Sequence, residues 1–144
     1  GRTVDYDLLC AIPPNLGPAV IDDSGLGDGA GYAITDPRTL RSRKAEGIYL
    51  LGDNTNVATS KAGSVAHFEA EVLAGNLINL LTGGQPVHQY DGKSFCFIET
   101  GLSEATYLSF NYDNPPPMVA PSQSIHWFKQ AYNRIHWTNL KAIV

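Results

Sequence analysis

The sequence predicts an α/β fold: part of a parallel sheet with one long helix, then a β-hairpin and a C-terminal amphipathic helix. Three observations predict it. Continuous apolar runs occur at residues 8–12, within the segment 4–12, and at 48–51, as in strands covered on both faces. An apolar-periodic run ends at Gly83-Gly84 with Pro86 beyond, which is how a long helix stops. After it come two alternating segments, a proline-rich stretch and an aromatic, basic tail.

The elements follow in order. Residues 4–12 (VDYDLLCAI) read as a buried parallel-type strand stopped by Pro13-Pro14, and Cys10 inside it reads as a buried, inert thiol. Residues 15–46 are rich in Gly, Pro, Asp and Ser and form a crossing segment, with a short strand at 32–35. The string Gly25-Leu26-Gly27-Asp28-Gly29-Ala30 fits GxGxxA, but no long strand precedes it and no helix can start at Tyr32–Pro37. It reads as a Gly-rich surface turn rather than a phosphate loop.

A strand over 48–51 runs into Gly52-Asp53. The long helix begins near Ser60 as N-cap and carries Ala62, Ala66, Ala70, Leu73, Leu77, Leu80 and Leu81 along one stripe. Residues 93–99 and 105–112 make the hairpin, Phe95 and Phe97 on one face and Cys96 and Ile98 on the other. Four of the nine prolines fall in 114–124, a polyproline-like connector. A last helix is expected over 124–143.

At 144 residues and 43 % apolar, the chain can bury the core of one modest domain. It opens on Gly1 with no charged-then-apolar leader, which reads as a piece of a longer protein. All 14 acids and seven of the ten bases lie in residues 1–113, whereas 114–144 hold Lys129, Arg134 and Lys141 and no acid. The tail is also aromatic, with Trp127, Phe128, Tyr132 and Trp137 beside Ile125, Ile135, Leu140 and Ile143. Such a segment either lies in a bilayer interface or packs on the protein's own core; no run is long enough to span. Three bases without an aromatic sheet motif do not indicate nucleic acid. The histidines at 67, 88, 126 and 136 lack metal-ligand spacing, so no metal is expected.

Asp53, at the carboxyl end of a strand, stands where ligands bind in open α/β sheets; the alternative is a simple turn aspartate. Lys61 lies near a helix N-terminus, an unfavourable place for a cation unless an anion is close; the alternative is a solvated lysine. His67 and Glu69 on the long helix are assigned no chemistry.

Ile48-Tyr49-Leu50-Leu51-Gly52-Asp53 resembles the second FAD motif of the two-dinucleotide-binding-domain flavoproteins, the FAD-dependent pyridine nucleotide-disulfide oxidoreductases. Thr59-Ser60-Lys61-Ala62-Gly63 and the following VAHFEAEVLAGNL resemble its sulfide:quinone oxidoreductase branch. The resemblance covers nearly the whole chain but only the last part of the family's. It implies the end of the second dinucleotide-binding domain and crossover at 1–46, the returning FAD-domain strand and helix at 47–90, and a hairpin with a membrane- and quinone-facing segment at 91–144.

It also implies roles. Gly52, Asp53, Lys61, Ala62 and Gly63 would bind FAD, Asp53 at the ribityl chain, with Lys61 and the Ala62 and Gly63 N–H groups at the pyrimidine side. Cys96 would be one of two redox thiols and, with Lys61, catalytic. Because sulfide oxidation needs a thiol pair, the second cysteine would come from the remaining N-terminal part of the protein. The substrates would be sulfide and quinone, and residues 124–144 would make a peripheral membrane contact. Ala58 departs from the proline common before the Thr-Ser-Lys string. An NADH- or other-donor:quinone oxidoreductase of the same fold and a non-catalytic α/β binding module remain open. The flavoprotein reading requires Asp53 and Lys61 to converge on one cleft.

Overall fold

The computed structural model describes residues 3–141, with side chains described through 136 and at 138. Its elements are α1 (Ala19–Asp23), a 3-10 turn (Gly52–Asn54), α2 (Gly63–Leu81), β1 (Ser94–Glu99), β2 (Ala105–Phe110) and α3 (Gln123–Lys141). The fold is thus a small α/β arrangement of three helices and one antiparallel hairpin.

Two predicted strands are not formed. Residues 4–12 are irregular and exposed, with Leu8 at 82 % and Ile12 at 93 % exposure, and Cys10 is exposed rather than buried. A two-sided buried strand needs parallel neighbours, and no described residue supplies one. Residues 48–51 make only an isolated antiparallel bridge, Arg41 to Tyr49, while the Leu50 N–H donates to Leu40 O at 2.9 Å. The expected strand at 32–35 is likewise reduced to bridges, one of them parallel, Ala33 to Thr55.

The Gly-rich string is a turn, as its context predicted. Asp22 Oδ1 accepts the Gly29 N–H, and Asp28 Oδ1 accepts those of Ala30 and Tyr32. No long strand enters this turn, and the helix before it, α1, has only 5 residues.

The long helix stops as read, with Gly83 at φ 82 beyond it, where glycine has no Cβ to strain. Its start and its buried face both differ from the prediction. The N-cap is Ala62 with no side-chain cap, not Ser60. The buried stripe is Val65, Glu69, Leu73 and Asn76, so only Leu73 of the predicted stripe lies on it. Periodicity chose leucines, but the interior accepted two polar side chains because each has backbone partners. Asn76 Nδ2 donates to His88 O and Asn76 Oδ1 accepts the His88 N–H, both at 2.9 Å; Glu69 accepts from Gly52.

The larger core cluster joins Leu40, Val65, Leu73 and Tyr90, with Tyr49, Leu51, Phe68 and Tyr112 against it. A second gathers Ile21, Ala33 and Leu50. Leu40 is fully buried at φ 58, a left-handed conformation costly for a leucine. Asp36 holds that loop by accepting the Arg38 and Thr39 N–H groups.

The hairpin pairs Ser94 with Phe110 through Glu99 with Ala105 and contacts α2 through β1 and α3 through β2. Phe95, Phe97 and Tyr107 form one aromatic face: Phe95 lies edge-on to Phe97 at 4.9 Å and stacks on Tyr107 at 5.6 Å. Phe97 meets Phe128 and Tyr132 of α3 at 5.8 and 6.0 Å. Of the predicted tail stripe, Ile125 is half-buried, and Phe128, Tyr132 and Ile135 are at least 49 % exposed, as is Trp127. The side chains of Trp137, Leu140 and Lys141, and residue Ile143, lie outside the described residues.

Candidate functional site

The centre is the 3-10 turn and the start of α2. Gly52 stands at φ 77, which a glycine adopts freely and which turns its N–H onto Glu69 Oε2 at 2.5 Å. The Gly52 carbonyl accepts the Thr55 N–H and hydroxyl, and the Thr55 carbonyl accepts Lys61 Nζ. One hydrogen-bonded path therefore runs from the turn to the lysine. Asp53 is exposed, and its carboxylate takes no hydrogen bond from any described residue.

Lys61 is exposed, and its Nζ, besides donating to Thr55 O, lies 5.2 Å from the Tyr32 ring centre. Of the two helix-entry N–H groups expected to face a ligand, that of Ala62 is already used, donating to Ser60 O at 3.0 Å. The Gly63 N–H has no acceptor among the described residues, and a Cβ built on Gly63 would meet nothing within 4 Å. The helix start is therefore open at Gly63, where its unpaired donors favour an anion.

Glu69 is the residue that sequence reasoning missed. It is fully buried, and burial pushes its carboxyl above the ordinary range; the Gly52 N–H and Lys61 oppose this, and Asp53 adds to it. Asp53 and Lys61 are thus both within electrostatic reach of one carboxyl. Two acceptors around the turn, Glu69 Oε1 and Asn54 Oδ1, are buried without a partner among the described residues. A helical glutamate gives no periodic signal; only its place opposite the Gly-Asp turn does.

Cys96 is half-buried on the face of β1 opposite the phenylalanines, its Sγ 3.9 Å from Ser60 Oγ. The structure therefore brings the Cys96 thiol to the loop that carries Lys61. Cys10 is free and exposed.

On the other face of the hairpin, a cavity of about 350 Å³ is lined by Phe95, Phe97, Tyr107, Ser124, Ile125 and Phe128. Beyond Phe97 on the same strand, Glu99 accepts from His126 Nδ1 at 2.9 Å and from Lys129 at 3.1 Å. The His126 hydrogen bond, then that of Lys129, holds the Glu99 carboxyl below its usual range. Among the described residues no cluster could hold a metal ion, and no helix is long and apolar enough to cross a membrane.

No family model matches the chain. It is 39 % identical over 113 residues to the mitochondrial sulfide:quinone oxidoreductase of Dictyostelium discoideum, covering 77 % of this chain and 25 % of that protein. Against the same protein of Mus musculus the identity is 28 % over 141 residues, covering 98 % and 30 %. Against that of Schizosaccharomyces pombe it is 29 % over 111 residues, covering 77 % and 24 %. Among solved structures, a chain of the Tetrahymena thermophila mitochondrial ATP synthase F1Fo tetramer superposes with a TM-score of 0.69 at 30 % identity, over 76 % of this chain and 26 % of that one. The chain spans between 24 % and 30 % of the length of these curated relatives. By the string from Ile48 to Gly63 and by these three matches, the chain belongs with the sulfide:quinone oxidoreductase-like proteins, as one portion of that longer protein.

Proposed function

We propose that this chain is the C-terminal part of a flavoprotein that oxidises sulfide and reduces a membrane quinone. The single observation carrying this reading is the unpartnered Asp53 carboxylate on the turn that a hydrogen-bonded path ties to Lys61, beside a helix start open at Gly63.

These residues fit FAD. Asp53 offers a free acceptor for ribityl hydroxyls, and the open Gly63 N–H, with Lys61 in reach, favours negative charge. Gly52 contributes its tight turn, and Ala62 the turn that leads into the helix. The chain would comprise the end of a second dinucleotide-binding domain at 1–46, the FAD-domain return at 47–90 and the quinone-facing part at 91–144.

FAD, when bound, relays an electron pair between donor and acceptor. Cys96 would hold sulfur: sulfide opens a disulfide between Cys96 and a second thiol, giving a persulfide and a thiolate. A nucleophilic acceptor, a thiol or a second sulfide, carries off the outer sulfur, and the two cysteine thiolates that remain re-form the disulfide as two electrons pass on. The second thiol belongs to the part of the protein preceding this chain. Quinone takes the pair with two protons to become quinol. The aromatic cavity suits a flat, lipid-phase ring, and α3, with exposed Trp127, Phe128 and Tyr132 beside Lys129 and Arg134, suits a peripheral contact with an anionic bilayer.

A full-length protein showing a flavin spectrum that sulfide bleaches and NADH does not is the expected result. Bleaching by NADH alone overturns the choice of donor. A second reading, a non-catalytic module in a mitochondrial assembly, is favoured by the likeness to a chain of the Tetrahymena ATP synthase. A full-length protein without flavin that co-purifies with such an assembly would establish it.

A further inference from the structure

We propose that Glu69 is the site at which a proton is taken up when the redox group held beside Asp53 and Lys61 accepts electrons. The inference rests on the flavoprotein reading above and adds to it a proton-coupled residue outside the motif.

Geometry carries it. Glu69 is fully buried on the core face of α2 between Val65 and Leu73. Its two oxygens differ: Oε2 accepts the Gly52 N–H, and Oε1 is buried with no partner among the described residues. A buried carboxylate with an unpaired oxygen is costly, and a proton on Oε1 removes the charge. That proton is also a donor, where the turn already has a second buried acceptor without one, Asn54 Oδ1.

The charged and titratable groups around Glu69 set the sign. Lys61, before α2, favours the carboxylate; Asp53, on the turn, disfavours it. Tyr90 and Tyr112, flanking the hairpin, feel the Glu69 charge and are themselves pushed up, chiefly by burial. The balance is poised between one cation and one anion, so negative charge added beside them draws a proton onto Oε1. The electron pair comes from sulfide, the proton from solvent, and an O–H bond forms at Glu69 as the redox group is reduced. Reoxidation returns the proton.

The test uses the full-length, flavin-loaded protein and follows its midpoint potential against pH. One proton per electron pair contributes a tenfold change in the equilibrium constant per pH unit, about 30 mV for a two-electron couple. The expected result is that E69Q, which keeps an acceptor for the Gly52 N–H, retains flavin but loses that contribution within part of the pH range. Equal slopes in wild type and E69Q overturn the proposal. Should E69Q fail to fold, the reduced-minus-oxidised infrared spectrum of the wild type with carbon-13-labelled glutamate decides. A label-sensitive protonated-carboxyl band supports the proposal, and none overturns it. A wild type without flavin refutes the parent reading, and the proposal with it.

Discussion

The Ser64 hydroxyl, on the first turn of α2, donates to the carbonyl of Phe95, the residue before Cys96. This bond ties the start of the helix to β1 between two side chains that point opposite ways, Phe95 toward the aromatic cavity and Cys96 toward Ser60. It lies one residue along β1 from the thiol that approaches Ser60 Oγ at 3.9 Å.

Replacing Ser64 with alanine removes that tie and leaves a half-buried carbonyl without its side-chain donor. The expected cost is about 1 kcal/mol, read as a lower denaturation midpoint of the full-length protein with unchanged m. Cys96 should also react faster with iodoacetamide. An unchanged alkylation rate would show that the bond does not hold the thiol.

Glu69 makes stability depend on pH. Burial raises its folded-state carboxyl above the unfolded value of 4.5, so the folded state binds the proton more tightly. Its contribution is therefore full below the unfolded value and lost as pH rises through the folded one. Chemical denaturation of wild type and E69Q across this window should show wild type losing stability relative to the variant as pH increases. A difference that is flat with pH would mean that Glu69 is ionised in both states.

Glu99 has the opposite sign. Its carboxyl is held below the usual value by His126 and then Lys129, so the stability it gives is present above the unfolded value and lost as pH falls through the folded one. Both partners lie on α3, so acidification should loosen this helix before it unfolds the rest. Hydrogen exchange over 123–136 should quicken on acidification in wild type, and E99Q should be fast at neutral pH already.

Phe97 touches both Phe95 and two rings of α3. In the full-length enzyme, F97L should raise the quinone KM by roughly 2- to 10-fold, the worth of an aromatic pair at about 0.5–1.5 kcal/mol, while sulfide bleaching of the flavin is retained. A normal quinone KM would place the quinone elsewhere.

The sequence carried local elements well. The hairpin at Ser94–Glu99 and Ala105–Phe110 sits inside the predicted segments, and α2 ends where Gly83 leaves the helix. Alternation and terminators act within a few residues, so they are visible in the string. The expected convergence of Asp53 and Lys61 on one cleft depends on side-chain directions that a string does not carry: Lys61 reaches the Thr55 carbonyl and the Tyr32 ring, and the Ala62 N–H donates to Ser60 O. Glu69 and Asn76 were not legible, since their burial depends on distant backbone partners at Gly52 and His88. The run at 4–12 misled for the reverse reason: its apolar residues state a need for neighbours without saying that this stretch of chain contains them.

The bare side chains at Leu8, Leu9 and Ile12, together with Ile78 and Leu81 on α2, are each at least 59 % exposed. Apolar side chains left this open to water are where a polypeptide produced by itself would first meet other apolar surface. Purification is therefore best undertaken on the longer protein, in a mild detergent.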